Sequence, residues 1–308
     1  MRLAPCFKVV FAFAAILGWL AVGGHAATAK PLRVVASFTI LADMAQRIGG
    51  DRVDVVTLVG PDGDAHTFEP TPRDAKAVAE ADILIVNGLG FEGWMDRLAK
   101  AADFRGRIVV ASAGVQAHDM EEDGRRQLDP HAWQDIANGR RYVANIAAGF
   151  GAASPSDAAF FKANGDGYSA ELEELDRWVR AEIGAVPKPE RKVITSHDAF
   201  GYFGTAYGVE FLAPEGLSTE AEATPLDLAK LIRQAKATGI KAIFLENMSD
   251  PRLVERLAQE AGIALGGTLY VDSLSKSDGP APTYVAMFRH NVPMIREAMS
   301  KNRVAGTP

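Results

Sequence analysis

The chain predicts an α/β protein of two lobes, each a mostly parallel sheet flanked by helices, joined by one long connecting helix. Three observations carry that expectation. From Leu32 onward short β-branched runs alternate with helical stretches, the pattern of βαβ units. The runs ILIV and VVTLV are continuously apolar, as strands buried on both faces require. The alternation pauses between Ser154 and Val186, where Leu172, Leu175, Trp178, Val179 and Ile183 recur at helical spacing, and then resumes.

The first stretch stands apart from this pattern. Arg2 and Lys8 lie at the start, an apolar run extends from Val9 to Val22, and Ala27-Thr28-Ala29 follows. This is the order of a cleavable signal peptide over residues 1–29, and the run is shorter than the roughly 20 residues of a membrane anchor. The only cysteine, Cys6, precedes the apolar run, whereas a lipid-attachment cysteine follows it. The expectation is therefore a periplasmic protein with no lipid anchor. Without Cys6 the mature chain has neither thiolate chemistry nor disulfides.

An N-terminal lobe is expected over residues 30–153. Its strands are RVVASF (33–38), VDVVTLVG, ADILIVNG and RIVVAS; its helices are ILADMAQRIGG (40–50), PRDAKAVAEA and FEGWMDRLAKAA. Gly49-Gly50 closes the first helix. The connecting helix spans 154–187, with a break expected at Asn164-Gly165-Asp166-Gly167 because each glycine costs about 1 kcal/mol relative to alanine. The C-terminal lobe, 188–308, repeats the pattern with strands RKVITS, VEFLAP, KAIFLEN and GGTLYVD. Its helices are DAFGYFGTAYG, PLDLAKLIRQAKATG, PRLVERLAQEAG and TYVAMFRHNVPMIREAM.

Of the 308 residues, 48% are hydrophobic and 23% charged, enough for cores of this size. The formal charge is −6; removing Arg2 and Lys8 from the 33 basic residues leaves 31 against 39 acidic ones, a charge of −8. Such a balance argues against a nucleic-acid partner. The segment VQAHDMEEDGRRQ (115–127) reads as a solvated charged loop.

Five histidines follow the leader: His66, His118, His131, His197 and His290. His66 follows the strand VDVVTLVG, His131 precedes a helix in LDPHAWQD, His197 ends KVITS, and Asp272 ends TLYV. Ligands of open α/β sheets gather at the carboxyl ends of strands, so these four side chains can converge between the lobes. Each also has a plainer reading as a residue that caps a helix start. Separations of 65, 66 and 75 residues are too long for a local metal motif, and spacing leaves both readings open. Ser196, His197 and Asp198 are not a hydrolase triad, since adjacent side chains point in different directions. Neither a G-x-S-x-G elbow nor a phosphate-binding glycine loop is present. His290 is expected to face solvent or cap a helix, and Trp94, Trp133 and Trp178 to pack in the core.

The segments GPDGDAHTFEPTPRDAKAVAEADILIVNGLGFEGW, LDPHAWQD, TSHDAFGYFGTAYG and TLYVDSLS resemble, in order, the signatures of the metal-binding solute-binding proteins of bacterial ABC transporters that import zinc or manganese. The resemblance covers nearly the whole mature chain. It implies a non-enzymatic carrier, expected to be monomeric, that holds one metal ion between its lobes and delivers it to an ABC permease. A periplasmic metallochaperone is a second partner it suggests. It implies that His66, His131, His197 and Asp272 are the four ligands and that Glu246, in FLEN, is structural.

Three imidazoles and a carboxylate suit zinc. Family members tuned to manganese often carry glutamate where this chain has His197, and harder oxygen ligands suit manganese better. The expected cargo is therefore zinc, with manganese second. Zinc-specific relatives often carry a histidine-rich loop before the second ligand; here that stretch holds only His118, so the resemblance is to a zinc-type member without it. From another class, a zinc hydrolase or lyase would use three histidines and a metal-bound water. A surface adhesin, a label attached to some of the family, would need an attachment device. The long helix is expected to limit lobe closure, which makes the loop bearing Asp272 the candidate mover on metal release.

Overall fold

The computed structural model describes residues 30–122, 125–214, 216, 219 and 224–302; the leader read over 1–29 lies outside the described residues. Two four-stranded parallel sheets follow one another along the chain. The first has strand order β2-β1-β3-β4, from β1 (Leu32–Phe38), β2 (Val53–Val59), β3 (Ile83–Val86) and β4 (Arg107–Val110). The second has order β10-β9-β7-β8, from β7 (Lys192–Ile194), β8 (Glu210–Leu212), β9 (Ala242–Glu246) and β10 (Ala264–Leu269). In each sheet the order reverses beside the first strand, which opens a crevice at the carboxyl ends.

Burial on both faces holds for the central strand β3, all of whose residues are buried. It does not hold for VVTLV: β2 is an edge strand, and Val56 is exposed. Ile108 and Val110 on β4, the opposite edge, are exposed as well. Continuous apolar character thus marks parallel strands here without distinguishing centre from edge.

Local chemistry sets the helix ends. Helix α2 (Pro72–Glu80) begins with a capping box: the Thr71 hydroxyl accepts the Asp74 N–H, and the Asp74 carboxylate accepts the Thr71 N–H. Helix α8 (Pro251–Ala261) starts behind Asp250, which accepts the Arg252 N–H, and ends at Gly262 with φ +68°. Both have proline at the first turn, where no N–H is needed.

Helix α5 (Ala158–Gly184) runs 27 residues without the expected break. The glycines do not interrupt it because Gly165 faces α4 (Ile136–Ala153), where an added Cβ would come 3.0 Å from the Ala147 Cβ. A close helix–helix approach offsets the low helix propensity. Helix α5 packs on α4 and on α1 (Thr39–Gly49) from the first half, and on α6 (Gly201–Tyr207) and α9 (Tyr284–Ser300) from the second. One hydrophobic cluster accordingly includes Phe38 and Phe150 as well as Phe200 and Phe288; a smaller one, with Ile194, Leu231, Ile243 and Val254, lies in the second half.

Two further expectations are corrected. The stretch read as a charged loop contains a two-stranded antiparallel ribbon, β5 (Asp119–Glu122) with β6 (Arg125–Leu128). In its register Glu121 stands opposite Arg126 and Glu122 opposite Arg125. His290 neither caps a helix nor simply faces solvent: it lies within α9, and its Nε2 is 3.0 Å from the Thr268 carbonyl oxygen.

Candidate metal centre

His66, His131, His197 and Asp272 all lie on loops at the carboxyl ends of strands, and the structure brings them together. One ligand-type atom from each lies within 4.8 Å of the others. His131, His197 and Asp272 are fully buried, and His66 is 8% exposed. His197 and Asp272 do not end their strands, as the apolar runs suggested. Each stands three residues beyond, because β7 stops at Ile194 and β10 at Leu269, leaving a turn in which the side chain points inward.

The loop after β2 delivers His66. Its N–H donates to Asp64 Oδ1 at 2.8 Å, the preceding carbonyl of Ala65 accepts the Trp94 indole N–H at 2.8 Å, and its ring packs edge-on to Phe91. Trp94 is thus a core residue with a polar duty. His131 is turned by Asp129, whose Oδ1 accepts both the His131 N–H at 2.9 Å and its Nδ1–H at 2.8 Å. Glu246 turns His197: Oε2 accepts Nδ1–H at 2.5 Å, while Oε1 accepts the N–H groups of Ser196 and His197 at 2.9 and 3.2 Å. When Nδ1 carries the proton and donates it to a carboxylate, the lone pair is left on Nε2. In both rings Nε2 is the atom that faces the centre.

The resulting separations are narrow. Nε2 of His131 lies 3.3 Å from Nε2 of His66 and 3.4 Å from Nε2 of His197. Asp272 Oδ2 lies 3.3 Å from His66 Nε2 and 3.2 Å from His197 Nε2, with Oδ1 3.8 Å from His131 Nε2. Neither Asp272 oxygen accepts a hydrogen bond of acceptable geometry. Buried carboxylate oxygens in native proteins are normally satisfied, so these four groups have the donor set and the unmet demand of a cation site.

Burial by itself would depress the His197 imidazolium, but Glu246 and Asp272 outweigh it and hold its pKa well above the ordinary range. Burial would raise the Asp272 carboxyl, yet the imidazoles of His197 and His131 hold it well below the usual carboxylate range. Protons and a metal ion therefore compete for the same buried charge.

The segment carrying Asp272, the expected mover, is tied down by residues of the first half of the chain. Val271 O accepts from the Trp133 indole and the Gln134 amide, both at 3.1 Å, and the Leu274 N–H donates to Thr39 Oγ1 at 2.8 Å. Residue-by-residue reading missed Asp129 and gave Glu246 only a structural part. Asp129 had a legible signal, a carboxylate two residues ahead of a histidine. Glu246 had none, since strand pairing alone brings it to His197. His118 stays outside the cluster, its ring stacked on Tyr202 at 3.9 Å.

Residues 34–298 match the family described as zinc-uptake complex component A periplasmic, ZnuA. The chain is 33% identical over 305 residues to the manganese-binding lipoprotein MntA of Bacillus subtilis, covering 97% of this chain and 100% of that one. It is 32% identical over 288 residues to the iron ABC transporter substrate-binding lipoprotein MtsA of Streptococcus pyogenes, covering 91% and 92%. Among solved structures, the periplasmic zinc binding protein TroA from Treponema pallidum superposes with a TM-score of 0.83 at 29% identity, covering 88% of this chain and 99% of that one. A fold of two parallel sheets, a buried His₃Asp cluster and a family match across almost all of the described residues converge: this chain belongs to the ZnuA family of metal-binding periplasmic solute-binding proteins of ABC importers, carriers and not enzymes.

Proposed function

We propose that this protein captures one zinc ion with His66, His131, His197 and Asp272 and delivers it, as a monomer, to an ABC permease. The observation that carries the reading is the spacing of the donors. Around the ring His66, His131, His197 and Asp272 the successive donor separations run from 3.2 to 3.4 Å, and all four donors lie within 4.8 Å of one another, close enough to share one ion. Three neutral imidazoles and one carboxylate leave a divalent ion at a net +1, and the nitrogen-rich set suits zinc better than the oxygen-preferring manganese.

Manganese is the second reading, because relatives as similar as MntA are named for it. Nitrogen and oxygen sites bind zinc more tightly than manganese as a rule, so tight zinc binding alone does not identify the cargo. The test is metal analysis of protein purified from its own compartment, joined to competition titration of zinc against manganese. One zinc per chain that a large manganese excess does not displace is the expected result; manganese in the isolated protein would overturn the zinc assignment and leave metal capture standing.

None of the helices among the described residues is long and apolar enough to cross a membrane. The relatives named lipoproteins give no support to an unanchored protein. What supports it is the place of Cys6 ahead of the apolar run. The intact mass of the exported protein tests this: a lipid adduct would remove the claim, and a chain beginning near Lys30 would support it.

A further inference from the structure

Asn247 directly follows Glu246, the last residue of β9, and its N–H donates to Leu269 O at 3.0 Å, beside the end of β10. Its side-chain amide then does two things at once. Oδ1 accepts the Val271 N–H at 3.3 Å, and Nδ2 donates to Ser273 Oγ at 2.8 Å, with Ser273 O farther off at 3.3 Å. Val271 and Ser273 are the neighbours of Asp272 on either side. Nδ2 also donates to Asp62 Oδ1 at 3.0 Å.

Asp62 sits on the loop that carries His66 and has φ +58°, a left-handed conformation that costs a non-glycine residue energy unless its surroundings hold it. Its N–H donates to Leu274 O at 3.2 Å, so Asp62 and the Asp272 segment are joined twice. The adjacent Glu246 meanwhile holds His197. Two consecutive residues at one strand end therefore bear on three of the four candidate ligands.

We propose that Asn247 is a positioning residue for metal capture, its amide gripping the backbone on both sides of Asp272 and the Asp62 carboxylate so that the ligand spacing is set across the two halves of the chain. The inference rests on the metal-capture reading above. The chemistry selects asparagine: one planar group has to accept from Val271 and donate to both Ser273 and Asp62. An aspartate of the same shape accepts only and would face the Asp62 carboxylate.

The test uses the full mature protein, Asn247→Ala, Asn247→Asp, and the double exchange Asp62→Asn with Asn247→Asp, which reverses donor and acceptor across that bond. Zinc affinity is read by competition, ligand geometry by the visible spectrum of bound cobalt(II), and folding by thermal melting. Each single variant should lose zinc affinity by about tenfold, the lower range for groups that orient metal ligands, with an altered cobalt spectrum. The double exchange should recover most of both. Unchanged affinity and spectrum in the single variants, or a loss that the double exchange leaves in place, overturns the proposal. If Asn247→Ala melts early, Asn247→Asp and its double partner decide. Failure of the unaltered protein to bind any divalent metal would instead sink the capture reading itself, and it would be seen before any variant is compared.

Discussion

His131 and His197 are oriented by the same device, a carboxylate on Nδ1, but the two carboxylates are recruited at opposite extremes of chain distance. Asp129 stands two residues ahead of His131 and holds both its N–H and its ring with one oxygen, Oδ1. Its other oxygen is buried without a hydrogen-bond partner. Glu246 stands 49 residues from His197 and uses both oxygens, one on the ring and one on two main-chain N–H groups. The local pair has acceptor capacity to spare, while the distant pair has no oxygen left unengaged. Chain proximity makes a contact easy to encode, and full engagement makes it sensitive to change.

The largest expected effect comes from removing a ligand and bypassing both pairs. His197→Ala should cost zinc affinity by more than the roughly 100-fold that bounds orienting groups, and calorimetric titration reads it. Affinity within tenfold of the parent would take His197 out of the coordination sphere.

The two carboxylates should then separate. Glu246→Gln puts an NH₂ where an acceptor is needed whichever way the amide is turned, facing either the His197 ring N–H or the two main-chain N–H groups. The expected loss is about 100-fold. Asp129→Asn can place its NH₂ at the unpartnered Oδ2 position and keep Oδ1 on His131, so its loss should be about tenfold or less. Equal losses would mean that the acceptor count does not govern the site.

Proton linkage offers a milder way to tell them apart. In the metal-free protein the raised His197 pKa contributes stability that is full below its unfolded value near 6.5 and is lost as pH rises through the higher folded value. The depressed Asp272 pKa contributes stability above its unfolded value near 3.9, lost only as pH falls through the lower folded one. The metal-free protein should therefore melt higher at mildly acidic than at alkaline pH, while the stabilisation conferred by zinc should grow as pH rises. Melting curves with and without zinc check both slopes. Glu246→Gln should flatten the metal-free slope, and Asp129→Asn should leave the contribution of His197 in place.

The smallest effect is a control that touches neither pair. An added Cβ at Gly167 meets nothing within 4 Å, so Gly167→Ala should stabilise α5 by about 1 kcal/mol without altering zinc affinity, as urea unfolding and titration would show. Gly165→Ala, aimed at the Ala147 Cβ, should give no such gain. A gain at Gly165 equal to that at Gly167 would mean that α4 and α5 can part without cost.

Much of this protein is legible along the chain because the causes are local. Short β-branched apolar runs and period-3.6 patterning place the strands and helices, a Thr71–Asp74 capping box starts α2, and an aspartate two residues before His131 turns its ring. The βαβ order also puts the loops of His66, His197 and Asp272 beyond the carboxyl ends of parallel strands, whereas the loop of His131 follows the antiparallel ribbon. Tertiary structure decided the rest. The helix expected to break at Gly165 continues because another helix is packed against the glycine, and apolar patterning could not tell the edge strand β2 from the centre. The pairing of β9 with β7 and β10 brings Glu246 to His197 and Asn247 to the backbone around Asp272. Spacing along a chain reports a contact only when the chain itself is the shortest path between the partners; the second carboxylate and the amide reach the centre across the sheet, through hydrogen bonds that no periodicity records.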